Sequence, residues 1–176
     1  RFRNGMRAKR GQAMKLRRAA LLLFAGDISI WHPRCQVRII PVVGTSLEAG
    51  REHKVFKEQV INGNILQLLS IAWDTLRPSL AVVRMGPRGL FGETTLYPES
   101  ACIEALINAI AHRDYSVEGK PIEVFIFDDR MEIRRPGEVL TGITVEDLRQ
   151  LRCVHQSRNP YIARVLREIG FMRELG

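Results

Sequence analysis

PIEVFIFDDRMEIR, residues 121–134, decides the fold. Pro121–Phe127 is apolar almost throughout, as a strand in the middle of a sheet is, and Met131–Arg134 is a shorter run of mixed polarity. Asp128-Asp129-Arg130 between them has turn composition, so the stretch reads as strand, turn, strand. Just upstream the period changes. In residues 98–115, Ile103, Leu106, Ile107 and Ile110 recur at i, i+3, i+4 and i+7, the apolar stripe of a helix that faces a core. Pro98 suits its first turn and Glu99 its positive end.

Outward from this pair the same signals recur. Asn159-Pro160 opens a last helix closed by Gly170, with Asn159 as its cap, and Thr144 with Glu146 and Asp147 opens a short one. Between them Cys153–Arg158 is loop-like. On the other side, Leu80–Met85 and Gly92–Tyr97 read as strands around the glycine-bearing loop 86–92. Ile65, Leu68, Leu69, Ala72, Trp73 and Leu76 predict a helix capped by Asn64 and ended before Pro78, with Trp73 in the core. Gln36–Val43, with Pro41 toward an edge, and Lys54–Val60 predict an antiparallel pair. Gly11–Phe24 predicts a first helix stopped near Gly26.

A chain of 176 residues suits one domain that buries its core without disulfides. Cys35, Cys102 and Cys153 are odd in number and scattered, so they suggest inert buried thiols in a reducing compartment, the cytoplasm. Ala19–Ala25, the longest strongly apolar run, is far short of the ~20 residues of a membrane span. The net charge of +8 is concentrated: residues 1–18 hold eight bases and no acid, leaving 19 of each in the remainder. Arg7, Lys9, Arg10, Lys15, Arg17 and Arg18 are therefore candidate phosphate contacts for nucleic acid, and a solvated linker is the alternative.

The helix 98–115 carries the chemistry-bearing side chains. Glu104 and Asn108 lie about 40° apart on the helical wheel and roughly 120° from the stripe, among Ala101, Ala105 and Ala111. Small neighbours beside a short amide suit close approach of another group. In such a pair a Glu can orient and deprotonate water, and an Asn one turn on can give Mg²⁺ a neutral oxygen. His112-Arg113-Asp114 has the letters of a kinase catalytic loop, but Gly119 stands where the metal-binding Asn belongs and no glycine-rich loop precedes it. The plainer reading is a helix end, with His112 and Arg113 at its negative terminus and Asp114 fixing the turn.

ALINAIAHRDYS, IEVFIFDDRMEI, PGEVLTGITVEDL and RNPYIARVLREIGFMRELG, in this order and spacing, with LRRAALLLFAGD near the start, resemble the RecG-like C-terminal, or divergent ATPase, domain of transcriptional regulators. The resemblance implies an α+β fold similar to the gyrase and histidine-kinase ATPase domain: a two-layer sandwich with helices on one face of a mixed, mostly antiparallel sheet. It implies a basic arm over 1–15 and a single domain over 16–176, with flanking AlbA-like (Schlafen-type) and winged-helix modules outside these residues. No GxxxxGK[ST] loop or helicase motif set is present, so a helicase is not implied. By analogy Glu104 matches a catalytic Glu and Asn108 a Mg²⁺ ligand, with ATP and Mg²⁺ as cofactors. His112, Arg135, Gly137 and Arg158 join Asn108 as candidate cofactor contacts. Where such ATPases carry the Asp-x-Gly-x-Gly motif that reads adenine, this sequence has Arg135-Pro136-Gly137-Glu138-Val139, and HQSRNP (155–160) replaces the glycine-rich lid.

Three functions are consistent with these features. The first is a regulatory nucleotide- or ligand-binding domain that acts on DNA through its neighbours. An active Mg²⁺-dependent ATPase is the second, and a scaffold or dimerisation domain with no ligand is the third.

Overall fold

The computed structural model describes residues 7–10, 13–47, 57–85, 91–95, 97–138 and 157–172. In chain order these form β1 (Arg7–Arg10), β2 (Ala13–Leu16), α1 (Arg18–Phe24), β3 (Gln36–Pro41), β4 (Gln59–Asn62) and α2 (Ile65–Leu76). After a 3-10 turn at Arg77–Leu80 come β5 (Ala81–Met85), β6 (Phe91–Thr95), α3 (Glu99–Ala111), β7 (Ile122–Ile126), β8 (Met131–Arg134) and α4 (Pro160–Glu168).

The central sheet has the order β4-β3-β7-β8. β3 and β7 are parallel, Val37 opposite Ile122 and Pro41 opposite Ile126, and both outer pairs are antiparallel. Val37 and Ile39 of β3 and Ile122, Val124 and Ile126 of β7 share one face, because strand side chains alternate. They join Leu68, Ala72, Leu106, Ile110, Ile162 and Leu166 from the helices in one buried core. On the other face Ile40, Val42, Phe125 and Phe127 form a smaller cluster, with the Arg130 guanidinium 4.1 Å over the Phe127 ring and that of Arg134 4.5 Å over Phe125. The arrangement is the expected mixed sheet with helices on one face, a two-layer α/β sandwich. No helix among the described residues is long and apolar enough to cross a membrane.

Local chemistry sets the boundaries. α2 starts at a capping box: the Asn64 side chain accepts from Gln67 N at 3.0 Å, and the Gln67 side chain accepts from Asn64 N. Asn64 Nδ2 also donates to Ala25 O at 2.9 Å, tying the end of α1 to the start of α2. Asn64→Ala removes the cap and the tie, so it is expected to lower stability by about 1–2 kcal/mol. That corresponds to a fall of roughly 3–6 °C in the thermal midpoint for a chain of this size, read by circular dichroism. A midpoint unchanged within 1 °C would show that the cap contributes nothing.

Several boundaries differ from expectation. The first helix begins at Arg18, not Gly11, because Ala13–Leu16 finds its backbone partners across a hairpin with Arg7–Arg10 and Arg17 is extended at φ −74°, ψ 148°. The predicted strand 54–60 is displaced to Gln59–Asn62, residues 54–56 lying outside the described set. Pro41 is not on an edge strand; it is the last residue of an inner one, where a missing N–H costs least. The helix predicted to 115 stops at Ala111. Trp73 packs partly buried against the core, and Cys35 and Cys102 are buried free thiols, as expected. The predicted helix at Thr144, Val139 and Cys153 lie outside the described residues.

Candidate functional site

α3 buries Cys102, Leu106, Ile107, Ala109, Ile110 and Ala111, so its core face is wider than the predicted stripe and Ile103 sits at its margin. Glu104 and Asn108 are exposed, on the other side of the helix. Among the described residues neither the Glu104 nor the Asn108 side chain makes a hydrogen bond; their main-chain groups serve the helix, Asn108 O accepting from His112 N at its end.

The other predicted residues converge where the helix ends. His112 closes α3, and burial, then the charges of Arg135 and Arg167, push its imidazole pKa down. Its carbonyl accepts from Arg135 Nη1 at 2.6 Å. Asn159 does not use its side chain to cap α4; its Nδ2 donates instead to Ala111 O (2.9 Å) and Arg113 O (2.7 Å), satisfying carbonyls that the end of α3 leaves open. Arg113 turns inward, fully buried, and donates to Val117 O and Lys120 O.

Asp114 is the hub. Its Oδ1 accepts from Ser116 N at 2.9 Å in an Asx turn, its own N–H donates to Pro136 O at 3.1 Å, and its Oδ2 receives Arg158 Nη1 at 2.7 Å. The hydrogen bonds from Ser116, and then the positive charges of Arg158 and Arg113, hold this carboxyl below its usual range. Arg158 Nη2 reaches on to Glu138 O at 2.6 Å. Gly137 has φ +124° and lies so close that an added Cβ would stand 2.9 Å from Asp114 Cβ. Glycine is required there both for the dihedral and for the approach.

Asp114, Arg135, Gly137 and Arg158 border an open cleft of about 860 Å³, whose walls also include Lys120, Glu123 and Glu138; the predicted contact His112 does not line it. Its charges are unevenly matched. Glu123 pairs with Arg38 and Asp114 with Arg158, but no carboxylate pairs with Arg135 or Lys120 among the described residues. Arg135 is held below its ordinary pKa by desolvation and by the like charge of Arg158, the situation that an anion between two guanidinium groups relieves. The phosphates of a nucleotide fit this donor set. Adenine does not fit at Arg135, which has no acceptor for an amino group. For Mg²⁺, the described residues include no group of three His, Cys, Asp or Glu side chains that could hold a metal, and Asn108 is not in the cleft wall, so the residues present do not fit a metal bound beside a ligand there. Glu104 and Asn108 do not line the cleft; Asn108 stands one turn back along α3 from His112.

The candidate nucleic-acid contacts divide. Arg7, Lys9 and Arg10 lie on β1 and Lys15 on β2. Arg17 and Arg18 are tied into the domain: Arg17 donates to the Tyr161 hydroxyl and lies 4.5 Å over its ring, and Arg18 pairs with Glu118 at 3.0 Å. Sequence reasoning did not anticipate the Asp114–Arg158 pair or the reach of Asn159. The HRD letters at a helix end were the one available signal.

Residues 119–176 match the family model described as "Putative ATP-dependent DNA helicase recG C-terminal". A search of curated proteins finds no match. Among solved structures the chain is similar to the DIP2311 protein from Corynebacterium diphtheriae, with a TM-score of 0.67 and 21% identity over 93% of this chain. It spans only 31% of that protein, and at this identity the likeness concerns the fold. The family match covers about a third of the chain, from just before β7 onward and including Arg135, Gly137 and Arg158, and this part of the chain is similar to the RecG C-terminal family.

Proposed function

We propose that this domain is a regulatory module that binds a phosphate-bearing ligand of the nucleotide class at the cleft beside the end of α3. The observation that supports it most is the meeting of Arg135 and Arg158, two guanidinium groups near enough to depress one pKa, across a loop that Gly137 lets lie against Asp114. Glu104 is exposed and lies outside the cleft wall, and binding is the function proposed. In a longer protein such binding would pass to neighbouring DNA-binding modules through α4, whose first turn is held by the same cluster.

Calorimetric titration with ATP, with and without Mg²⁺, tests this reading. Arg135→Ala is expected to weaken binding about tenfold or more, the contribution of one charge-assisted contact. Asn108→Ala, outside the cleft wall, should leave it unchanged with or without Mg²⁺. Absence of heat from the wild-type protein would remove the proposal, and a Mg²⁺-dependent loss in the Asn108 variant would place the ligand against α3 and not in the cleft.

A further inference from the structure

Arg158 faces the cleft with its charge already engaged. Its Nη1 lies 2.7 Å from Asp114 Oδ2, and both side chains are about four-fifths buried, 23% and 19% exposed, where a charge pair is screened less than at a surface. Its Nη2 is held separately by Glu138 O. Arg135, two residues before Gly137, makes its described contact with a neutral carbonyl. Of the two guanidinium groups, an anion entering the cleft therefore meets one free of a carboxylate among the described residues, Arg135, and one occupied by it, Arg158.

We propose that Asp114 is a built-in competitor, a carboxylate that holds Arg158 until a ligand's anionic group takes its place. The inference rests on the reading of the cleft as an anion site and adds its regulation. Arg158 need not travel, since Glu138 O keeps it at the cleft wall while Nη1 changes partners. Asp114 need not move either, since Ser116 and Pro136 fix its main chain and its other oxygen. The exchange does loosen a direct bond between the end of α3 and the start of α4, leaving the Asn159 amide as the remaining described tie there.

The test is titration with inorganic pyrophosphate of the wild-type chain, Asp114→Asn and Asp114→Ser. Both replacements keep an oxygen to accept from Ser116 N–H and remove the charge. Each is expected to bind about five- to twentyfold more tightly than wild type, and the gain should vanish when Arg158→Ala is added. Ser116→Ala, which loosens the turn and leaves the pair, should show no such gain. An independent arm needs no change at Asp114: Arg158→Ala alone should weaken pyrophosphate binding several-fold less than Arg135→Ala, because Arg158 is already partly neutralised. Equal or weaker binding by the Asp114 variants, or a loss at Arg158 as large as that at Arg135, would overturn the competitor while leaving the cleft an anion site. No binding by any of the proteins would instead remove the cleft reading itself.

Discussion

Arg113→Ala is expected to lower the unfolding free energy by about 3 kcal/mol, a fall of roughly 6–12 °C in the thermal midpoint. The side chain has no exposed surface, and its truncation leaves a cavity beneath the end of α3. It also leaves the carbonyls of Val117 and Lys120, 3.3 and 2.6 Å from Nη2, without their donor and takes a cation from the Tyr115 ring, 5.1 Å away. The loss is smaller than the sum of these effects because the charge is costly to bury. Burial pushes the Arg113 pKa down, and Nε and Nη1 have no partner. Arg113→Met separates the two effects. It fills the space and removes the buried charge, so it should lose less than the alanine variant. Denaturant unfolding of both proteins checks this, and equal losses would show that the guanidinium bonds, not the volume, dominate.

Gly137→Ala is expected to cost about 2–4 kcal/mol, and its effect should reach beyond stability. Part comes from a positive φ that an alanine adopts only under strain, and part from the contact at 2.9 Å with Asp114 Cβ, a carbon of a residue fixed at both ends. The neighbouring atom is not the far end of a flexible side chain, so the loop must retreat. Its retreat lengthens the Asp114 N–H to Pro136 O bond and moves Glu138 O, which steadies Arg158. Thermal unfolding should show the loss of stability, and titration with ATP should show weakened binding even under conditions where the variant is fully folded. Full affinity in a destabilised variant would show that the loop positions nothing in the cleft.

What the sequence made legible was local. Asn64 before an apolar stripe marks a helix start in any context, because the cap and its Gln67 partner are three residues apart. Pro121–Phe127 is too apolar for an edge, and β7 is indeed an inner strand. Gly170, with φ +82° and its N–H bonded to Arg167 O, ends α4 as glycines do. The misreadings have a common cause. Ala13–Leu16 has residues that suit a helix, but a partner strand three residues upstream takes its backbone bonds. Asn159 has the features of a cap, but open carbonyls 46 and 48 residues earlier compete for its amide and win. For the candidate site, the sequence marked His112, Arg135, Gly137 and Arg158, which do meet. It gave no warning that Asp114 joins them, since its ion pair spans 44 residues. Nor could the helical wheel show whether any element stands over Glu104 and Asn108; it fixes angles about an axis, not neighbours.

The two guanidinium groups lying on Phe125 and Phe127 also bear on what that face of the sheet offers to its surroundings. The rings stack 6.2 Å apart on the side of the sheet away from the helices, an apolar strip that would otherwise invite sheet-to-sheet stacking. Arg130 and Arg134 roof it with cations anchored by Glu132. Any body stacking on that face would have to strip both cations from their rings and their carboxylates, so the roof makes the strip costly to bury.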